Sequence, residues 1–474
     1  YQIQLFRDGQ EVPLYISNNG ILAAGDYFEF YGTKANGQVD LPLYKNASDQ
    51  LNPSQQFLSD TSFYFITYNT GTNHKRYVVQ PNTIPASPPP AQSYFWDQFS
   101  TNYRSGFASG TSYYYATSPL IYLCSSQFDA GEGWVKTITY SSDSLSYTCL
   151  FPYKTIGAPD ATVKTTVAGM SYISSHRMQV YANGSLMADS NYAAFSPKRF
   201  SFSTPMSMLG SNNKMTIKFV PMNTVVASNI YDRYGLAHVE FRYPRLFNFN
   251  NADSCYFELD AQSGDYYLEL TNFKTSGVAP RLFDLDGGVC YDGDISVSGL
   301  VRYFIPASAQ PKRFFIQSQA TATSTGVVSN LAPVTFHNFT DAANQGDYLI
   351  VTHKQLEDDG LGNNYIDAYK TYRSSATGGG YEAIIAEIND LYNEFAYGYT
   401  YHPLAIRNLL HYAMNNSAWV NKPRFLFIIG KGINYTDYPT YQSGSAGSFP
   451  YPIIPSFGDP CSDNLLSDFT YQSK

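Results

Sequence analysis

Two residues of this chain could together perform nucleophilic chemistry. His353 follows the apolar run Tyr348–Val351 in DYLIVTHK, and Cys461 lies in GDPCSDN, beyond the apolar run Phe425–Ile429. An imidazole that takes a thiol's proton makes a thiolate, the competent nucleophile of acyl transfer. Both positions lie past the carboxyl ends of short apolar runs, where catalytic groups gather in parallel α/β sheets. They are weak candidates. No glycine-rich oxyanion element surrounds Cys461, and a surface histidine with a loop thiol fits the same sequence. His402 reads as a helix-start residue before Pro403, and His411 points away from the apolar stripe of the helix that follows.

Other constellations carry less. Gly430-Lys431-Gly432 follows an apolar run as a phosphate loop does, but the Walker spacing is missing. Asp437, Asp459, Asp463 and Asp468 could help bind a cation, with loop solvation as the alternative. Asp284, Asp286, Asp292 and Asp294 suggest a calcium loop, yet the EF-hand spacing and closing glutamate are absent, and a solvated turn fits better. Tyr113 to Tyr115 could be an aromatic binding patch or ordinary packing. No cofactor is indicated, and whether any metal binds is left open.

The elements that must position these residues change in texture along the chain. Residues 1–83 read as a small β module, with Ile3, Leu5, Val12, Leu14 and Ile16 alternating around a turn at Asp8-Gly9. Within it, Lys34–Ser59 is mostly polar and reads as a long loop. Residues 84–92 hold IPASPPPAQ, a Pro-rich linker, or else a crossover between sheets of one domain. Residues 93–248 carry many short strands and read as a β-sandwich or jelly roll. Residues 249–345 continue the β pattern and read as a smaller connecting sheet. From Gly346 to Lys474 the pattern becomes β-α-β-α-β, the opening part of an α/β domain with a parallel sheet. In it, Arg424–Gly432 (RFLFIIGKG) reads as a strand buried on both faces and closed by glycine. Three strands are few for a doubly wound sheet, so the pattern looks cut short. The fold class is thus multidomain: β-rich modules of sandwich or jelly-roll type, then the first part of an α/β domain.

Bulk numbers set limits. A hydrophobic content of 43% argues against disorder over most of the length. Charged residues make up 14% and tyrosine supplies 43 positions, a balance suited to β modules outside the cytoplasm. A net charge of −8 without Lys/Arg clusters argues against nucleic acid as a partner. No run approaches the length of a membrane helix, and YQIQLFRDG at the start has no signal-peptide character. An opening in mid-strand suggests that material precedes it. Five cysteines leave at least one unpaired within the chain; Cys124–Cys149 and Cys255–Cys290 are candidate local disulfides, with buried free thiols the alternative.

The order and wording of 346–474 resemble the gingipain-type cysteine peptidases, and among them the cell-surface sortases of the type IX secretion system. The resemblance rests on GDYLIVTHK at 346–354, YNEFAYG at 392–398, PLAIRNLLHYA at 403–413, RFLFIIGKG at 424–432, DYPTY at 437–441 and IPSFGDPCSDNLLSDF at 454–469. GDYFEFYG at 25–32, GEGW at 131–134, YDRYGLAHVEFRYPRLF at 231–247 and APVTFHNF at 332–339 extend it upstream. It implies a caspase-like α/β catalytic domain with a Cys–His dyad, the base lying in a His-Gly segment after a later strand and the nucleophilic cysteine following still later. Neither member of that dyad matches here, since Cys461 precedes Ser462-Asp463, a family landmark upstream of it. No catalytic residue is carried over. The catalytic pair is expected downstream of Lys474, and the 474-residue chain alone is expected to be inactive. The resemblance further implies the outer face of the outer membrane in a Bacteroidota-type bacterium, and secreted proteins bearing sorting domains as substrates. A lipopolysaccharide amine or water would be the acceptor, and a PorV-like outer-membrane β-barrel the partner. The competing expectations are a surface adhesion or carbohydrate-binding β-sandwich protein without catalysis, and a catalytically dead scaffold.

Overall fold

The computed structural model describes residues 2–18, 21–111, 114–117, 120–123, 126–173, 175–223, 231–320, 326–328, 330–433 and 453–468. One nine-stranded sheet organises the β-rich part. Its spatial order is Pro197–Thr204, Ala161–Gly169, Tyr234–Arg245, Phe95–Asn102, Ser254–Leu259, Lys312–Gln317, Arg281–Asp284, Val289–Asp292 and Val78–Gln80. The first four strands share an apolar core with a four-stranded sheet built from Asp143–Thr148, Lys214–Pro221, His176–Ala182 and Ser185–Tyr192. The following strands share a second core with Asn248–Ala252, Tyr266–Phe273 and Leu300–Ile305. Two sandwiches therefore share one sheet. They meet where Trp96 pairs with Glu258. Arg242 braces this seam, with its guanidinium 4.0 Å above the Trp96 ring and 3.1 Å from Glu258.

Two readings of the sequence change here. The strands of 254–317 do not all form a separate sheet, because four of them extend the sheet of the preceding residues. Alternation shows that a strand has a buried face, but not which sheet it joins. The Pro-rich stretch is a crossover within a packed unit. Asn82 donates to the carbonyls of Asp292 and Arg302 at 2.9 Å and accepts from Phe304 N at 2.9 Å. Gln92 N then donates to Tyr267 O at 2.8 Å, so both ends of the stretch are pinned. Prolines lack an N–H to satisfy, so such a path over a sheet edge leaves few orphan donors.

The N-terminal strands Ile3–Arg7, Gln10–Val12 and Phe65–Tyr68 form a small antiparallel sheet around the Asp8-Gly9 turn. The stretch 34–59 is a long loop, as its composition suggests, but a packed one. It contains two short 3-10 turns, Leu41–Leu43 and Ala47–Asp49, and buries Val39, Leu43, Tyr44, Phe57 and Leu58 in the core of the α/β segment. Its polar residues mislead because several are buried and serve the backbone. Asp40 accepts from Phe57 N at 2.9 Å, Gln50 donates to Gly37 O at 2.6 Å, and Gln56 accepts from Leu58 N at 2.9 Å.

In the α/β segment, elements are numbered from its start: β1 (Tyr348–Thr352), α1 (Tyr365–Ser374), β2 (Ala383–Glu387), α2 (Ile388–Phe395), α3 (Leu404–Asn415), β3 (Phe425–Ile429), β4 (Lys431–Ile433), β5 (Ile453–Pro455) and α4 (Asn464–Ser467). β1 to β3 form a parallel sheet in the order β2-β1-β3. Leu349 and Val351 pack with α2 and α3 on one face, while Tyr348 and Ile350 pack with Ile366 of α1 on the other. The expected three-stranded parallel core is present. The strand buried on both faces, however, is β1 and not 425–429. β3 lies at an edge, with Phe425 and Phe427 still 42% and 40% exposed. An apolar run predicts burial, but sheet position decides it, and three parallel strands have one centre.

Candidate functional site

The carboxyl edge of the parallel sheet gathers the polar groups nearest to chemistry. Thr352 ends β1 and donates through Oγ1 to Ile429 O of β3 at 3.1 Å. His353 comes next. Its Nδ1 accepts from Gln355 N at 3.2 Å, and its Nε2 lies 3.4 Å from Asn389 Nδ2. Glu387 ends β2 and caps α2, accepting from Asn389 N at 2.9 Å and from Lys354 N at 3.0 Å. His353 is thus held between its own turn and the first turn of α2.

Cys461 belongs to a different structure. Beyond β3 the chain forms β4, which pairs in parallel with β5. Phe457 then enters the core against Phe128 at 5.2 Å, beneath the Arg407 guanidinium at 5.2 Å. Ser462 N donates to Phe457 O at 2.8 Å and closes a turn that exposes Cys461. The thiol's pKa is raised, first by desolvation; the nearby carboxylates of Asp459 and Asp463 add to this, against a lowering hydrogen bond with Ser456. A nucleophilic cysteine needs the opposite shift. His353 bonds to Gln355 and Asn389 and not to this thiol. The structure does not bring the two candidates together as a dyad.

The remaining candidates resolve into pairs. Asp284 is bonded to Lys312, Asp286 to Arg313 Nε at 2.9 Å, Asp292 to Arg281 Nε at 2.9 Å, and Asp294 to Arg302 at 2.5 Å. The four carboxylates are neutralised across neighbouring strands and form no calcium loop. Among the described residues no His, Cys, Asp and Glu group has metal-binding geometry. Cys149, Cys255 and Cys290 are free thiols. Cys255 and Cys290 lie in strands three positions apart in the nine-stranded sheet. That is about 14 Å at the usual strand spacing, too far for a disulfide. Cys124, Tyr113 and Asp437 lie outside the described residues. His411 is exposed, as its position off the apolar stripe predicts.

His402 does begin a helix: its Nδ1 accepts from Leu404 N at 3.2 Å. Its second bond has no signature in the sequence. Nε2 donates to Asp40 at 2.9 Å across 362 positions, with both side chains at most 1% exposed. Nearby, Tyr399 donates to Asp8 at 3.1 Å. No local pattern could reveal partners so distant in sequence.

Residues 341–473 match the family model of Peptidase family C25, covering the α/β segment from its lead-in to α4 and beyond. Over these residues the α/β segment is similar to the C25, or gingipain, family. The crystal structure of dimeric latent PorU from Porphyromonas gingivalis aligns with 98% of this chain and 42% of its own, at 11% identity and a TM-score of 0.58. At that identity the likeness establishes the fold: β-rich modules followed by part of a caspase-like α/β domain. The chain spans less than half the length of that protein. A CBM36-1 domain of a multidomain xylanase from the hindgut metagenome of Trinervitermes trinervoides aligns with 31% of this chain and 96% of its own, at 16% identity and a TM-score of 0.17, and carries no argument. No curated protein matches the chain.

Proposed function

We propose that these 474 residues serve a cell-surface cysteine peptidase of the C25 family that acts as a PorU-like sortase. The observation that carries this reading is the C25 match laid on the parallel sheet β2-β1-β3, with a β-rich part in front that follows the PorU fold. The chemistry would be thiolate attack on a scissile carbonyl, departure of the carboxyl-terminal sorting domain as the amine product, and transfer of the acyl group to an amine of surface lipopolysaccharide or to water. Residues 1–474 would position the sheet and supply docking surface, including that for a PorV-like outer-membrane β-barrel. The catalytic pair is contributed by other sequence. His353 is held by its own turn and α2, and the raised pKa of Cys461 suits a resting thiol. This reading places the protein on the outer surface through its partner.

The test is peptidase activity toward a substrate carrying a sorting domain, measured on the 474-residue chain and on a longer polypeptide that includes a His-Gly segment and a later cysteine. Activity in the longer polypeptide alone is the expected result. Thiol-dependent cleavage by the 474-residue chain, abolished by Cys461→Ala, would reverse the assignment. An inactive longer polypeptide carrying both groups would favour a scaffold.

A further inference from the structure

The segment between α2 and α3, Tyr397 to His402, is packed almost residue by residue on the N-terminal module. A Cβ placed on Gly9 would come within 3.0 Å of the Tyr397 ring, and one on Gly398 within 2.8 Å of Phe63. The Tyr399 ring meets Phe63 edge-on at 5.5 Å, and its hydroxyl donates to Asp8 at 3.1 Å. His402 closes the dock on Asp40. The module thus holds the segment through Asp8, Gly9, Asp40 and Phe63, all from the first 63 residues.

The held conformation is not one that tyrosine prefers. Tyr397 has φ of 55° and Tyr401 φ of 65°, in the left-handed region that residues with a Cβ avoid. Such outliers persist where surrounding contacts over-determine them, and switch regions are among the places where they cluster. Position makes this one consequential. α2 leaves the sheet directly from Glu387 at the carboxyl edge, whereas the chain beyond α3 returns to the amino edge, where Trp419 donates to Gly346 O at 3.2 Å. The 12 residues of α3 span about 18 Å, enough to cross the layer. The strained segment therefore begins α3 on the catalytic side of the C25 sheet.

We propose that residues 397–402 form a two-state tongue, held in its strained docked state by the N-terminal module. Docking fixes the start of α3 at the carboxyl edge, and undocking relaxes Tyr397 and Tyr401 and frees that start. The module is then a conformational regulator of the C25 edge, whatever substrate that edge serves.

Hydrogen exchange of the full 474-residue chain tests this. Three amides report on the tongue in its docked state: Gly398 N to Tyr392 O at 2.8 Å, Tyr399 N to Ala396 O at 2.9 Å, and Leu404 N to His402 Nδ1 at 3.2 Å. Phe63→Ala should speed their exchange about tenfold or more while leaving α1, on the opposite face of the sheet, unchanged. Tyr399→Phe removes the hydroxyl that donates to Asp8 and should act in the same direction, about threefold or more. If Phe63→Ala fails to fold, Tyr399→Phe decides the matter. Unchanged exchange at 398–404 in a folded variant would overturn the proposal. So would an increase shared equally by α1 and β1, which would mean general destabilisation and no separate tongue.

Discussion

Replacing Asp40 with alanine should destabilise the core that joins the N-terminal module to the C25 segment by about 3 kcal/mol. The magnitude follows from what the carboxylate satisfies. It accepts from His402 Nε2 and from Phe57 N, each at 2.9 Å, and it is itself 1% exposed. Leu404 N occupies Nδ1 of His402, so the neutral ring carries its proton on Nε2. Alanine leaves both donors buried without an acceptor, at about 1–3 kcal/mol each. Relief of the carboxylate's own desolvation, which holds its pKa above the usual range, offsets part of that sum. Asparagine is no rescue, because its carbonyl can serve one donor while its NH2 faces the other. The assay is urea unfolding followed by tryptophan fluorescence in a Trp96→Phe background. The signal then comes from Trp134 and Trp419, both in the shared core. His402→Phe combined with Asp40→Ala should cost less than the two single changes added together, by about 1 kcal/mol or more. A cost below about 1 kcal/mol for Asp40→Ala, or strict additivity, would refute the assignment of a coupled buried pair.

Other predictions concern the thiols, the sheet edge and His353. Burial pushes Cys149 and Cys255 up to about 12 and Cys290 to about 11. Among these three and Cys461, iodoacetamide at pH 8 should therefore label Cys461 first, with Cys149, Cys255 and Cys290 slowed about a hundredfold or more against the urea-unfolded chain. Since folding holds the protons on these three thiols, the native state should lose stability as pH rises above about 8.5, and equal labelling of all four would contradict their burial. Phe427→Asp should cost less than about 1.5 kcal/mol in this chain, where the ring is 40% exposed. It should cost about 3 kcal/mol or more in a longer polypeptide that lays a further strand against β3, and equal melting shifts in both would argue against a continued sheet. His353→Ala should leave the turnover of the active longer polypeptide within about threefold, because the ring holds a turn and not a proton in flight; a loss of several orders would make it the base.

Much of the C25 segment was legible because its signals are local. Pro403 and the stripe Ile406, Leu409, Leu410, Ala413 and Met414 mark α3, the first four side chains being buried and Met414 exposed, and glycines close the turn after α1. The Asp8-Gly9 turn joins two paired antiparallel strands, and both of its residues take positive φ. What failed to show depended on distant partners. The polar letters of 34–59 concealed buried residues whose side chains serve the backbone beside them. The membership of 254–317 in the larger sheet hangs on pairing across a seam of one residue pair, Trp96 with Glu258. Phe425–Ile429 reads the same whether it lies at the centre or at the edge of a sheet. The Asp40–His402 bond joins residues 362 positions apart, and each alone is an ordinary loop residue.

The C25 match begins at residue 341, but the core that supports it does not. Leu349, Val351, Ile406 and Leu409 pack in one cluster with Val39, Leu43, Tyr44 and Phe57, and with Phe128 and Trp134 from the first sandwich's side of the chain. A helix face such as that of α3 is stable only when its apolar stripe is covered. Part of the cover here comes from the first 60 residues. Cutting the chain at the family boundary would strip those side chains from α2 and α3, and would leave Asp40's partner, the buried imidazole of His402, facing water at a helix start. The β-rich part is therefore structural to the α/β segment: it completes the core beneath α2 and α3 and packs on residues 397–402 ahead of α3.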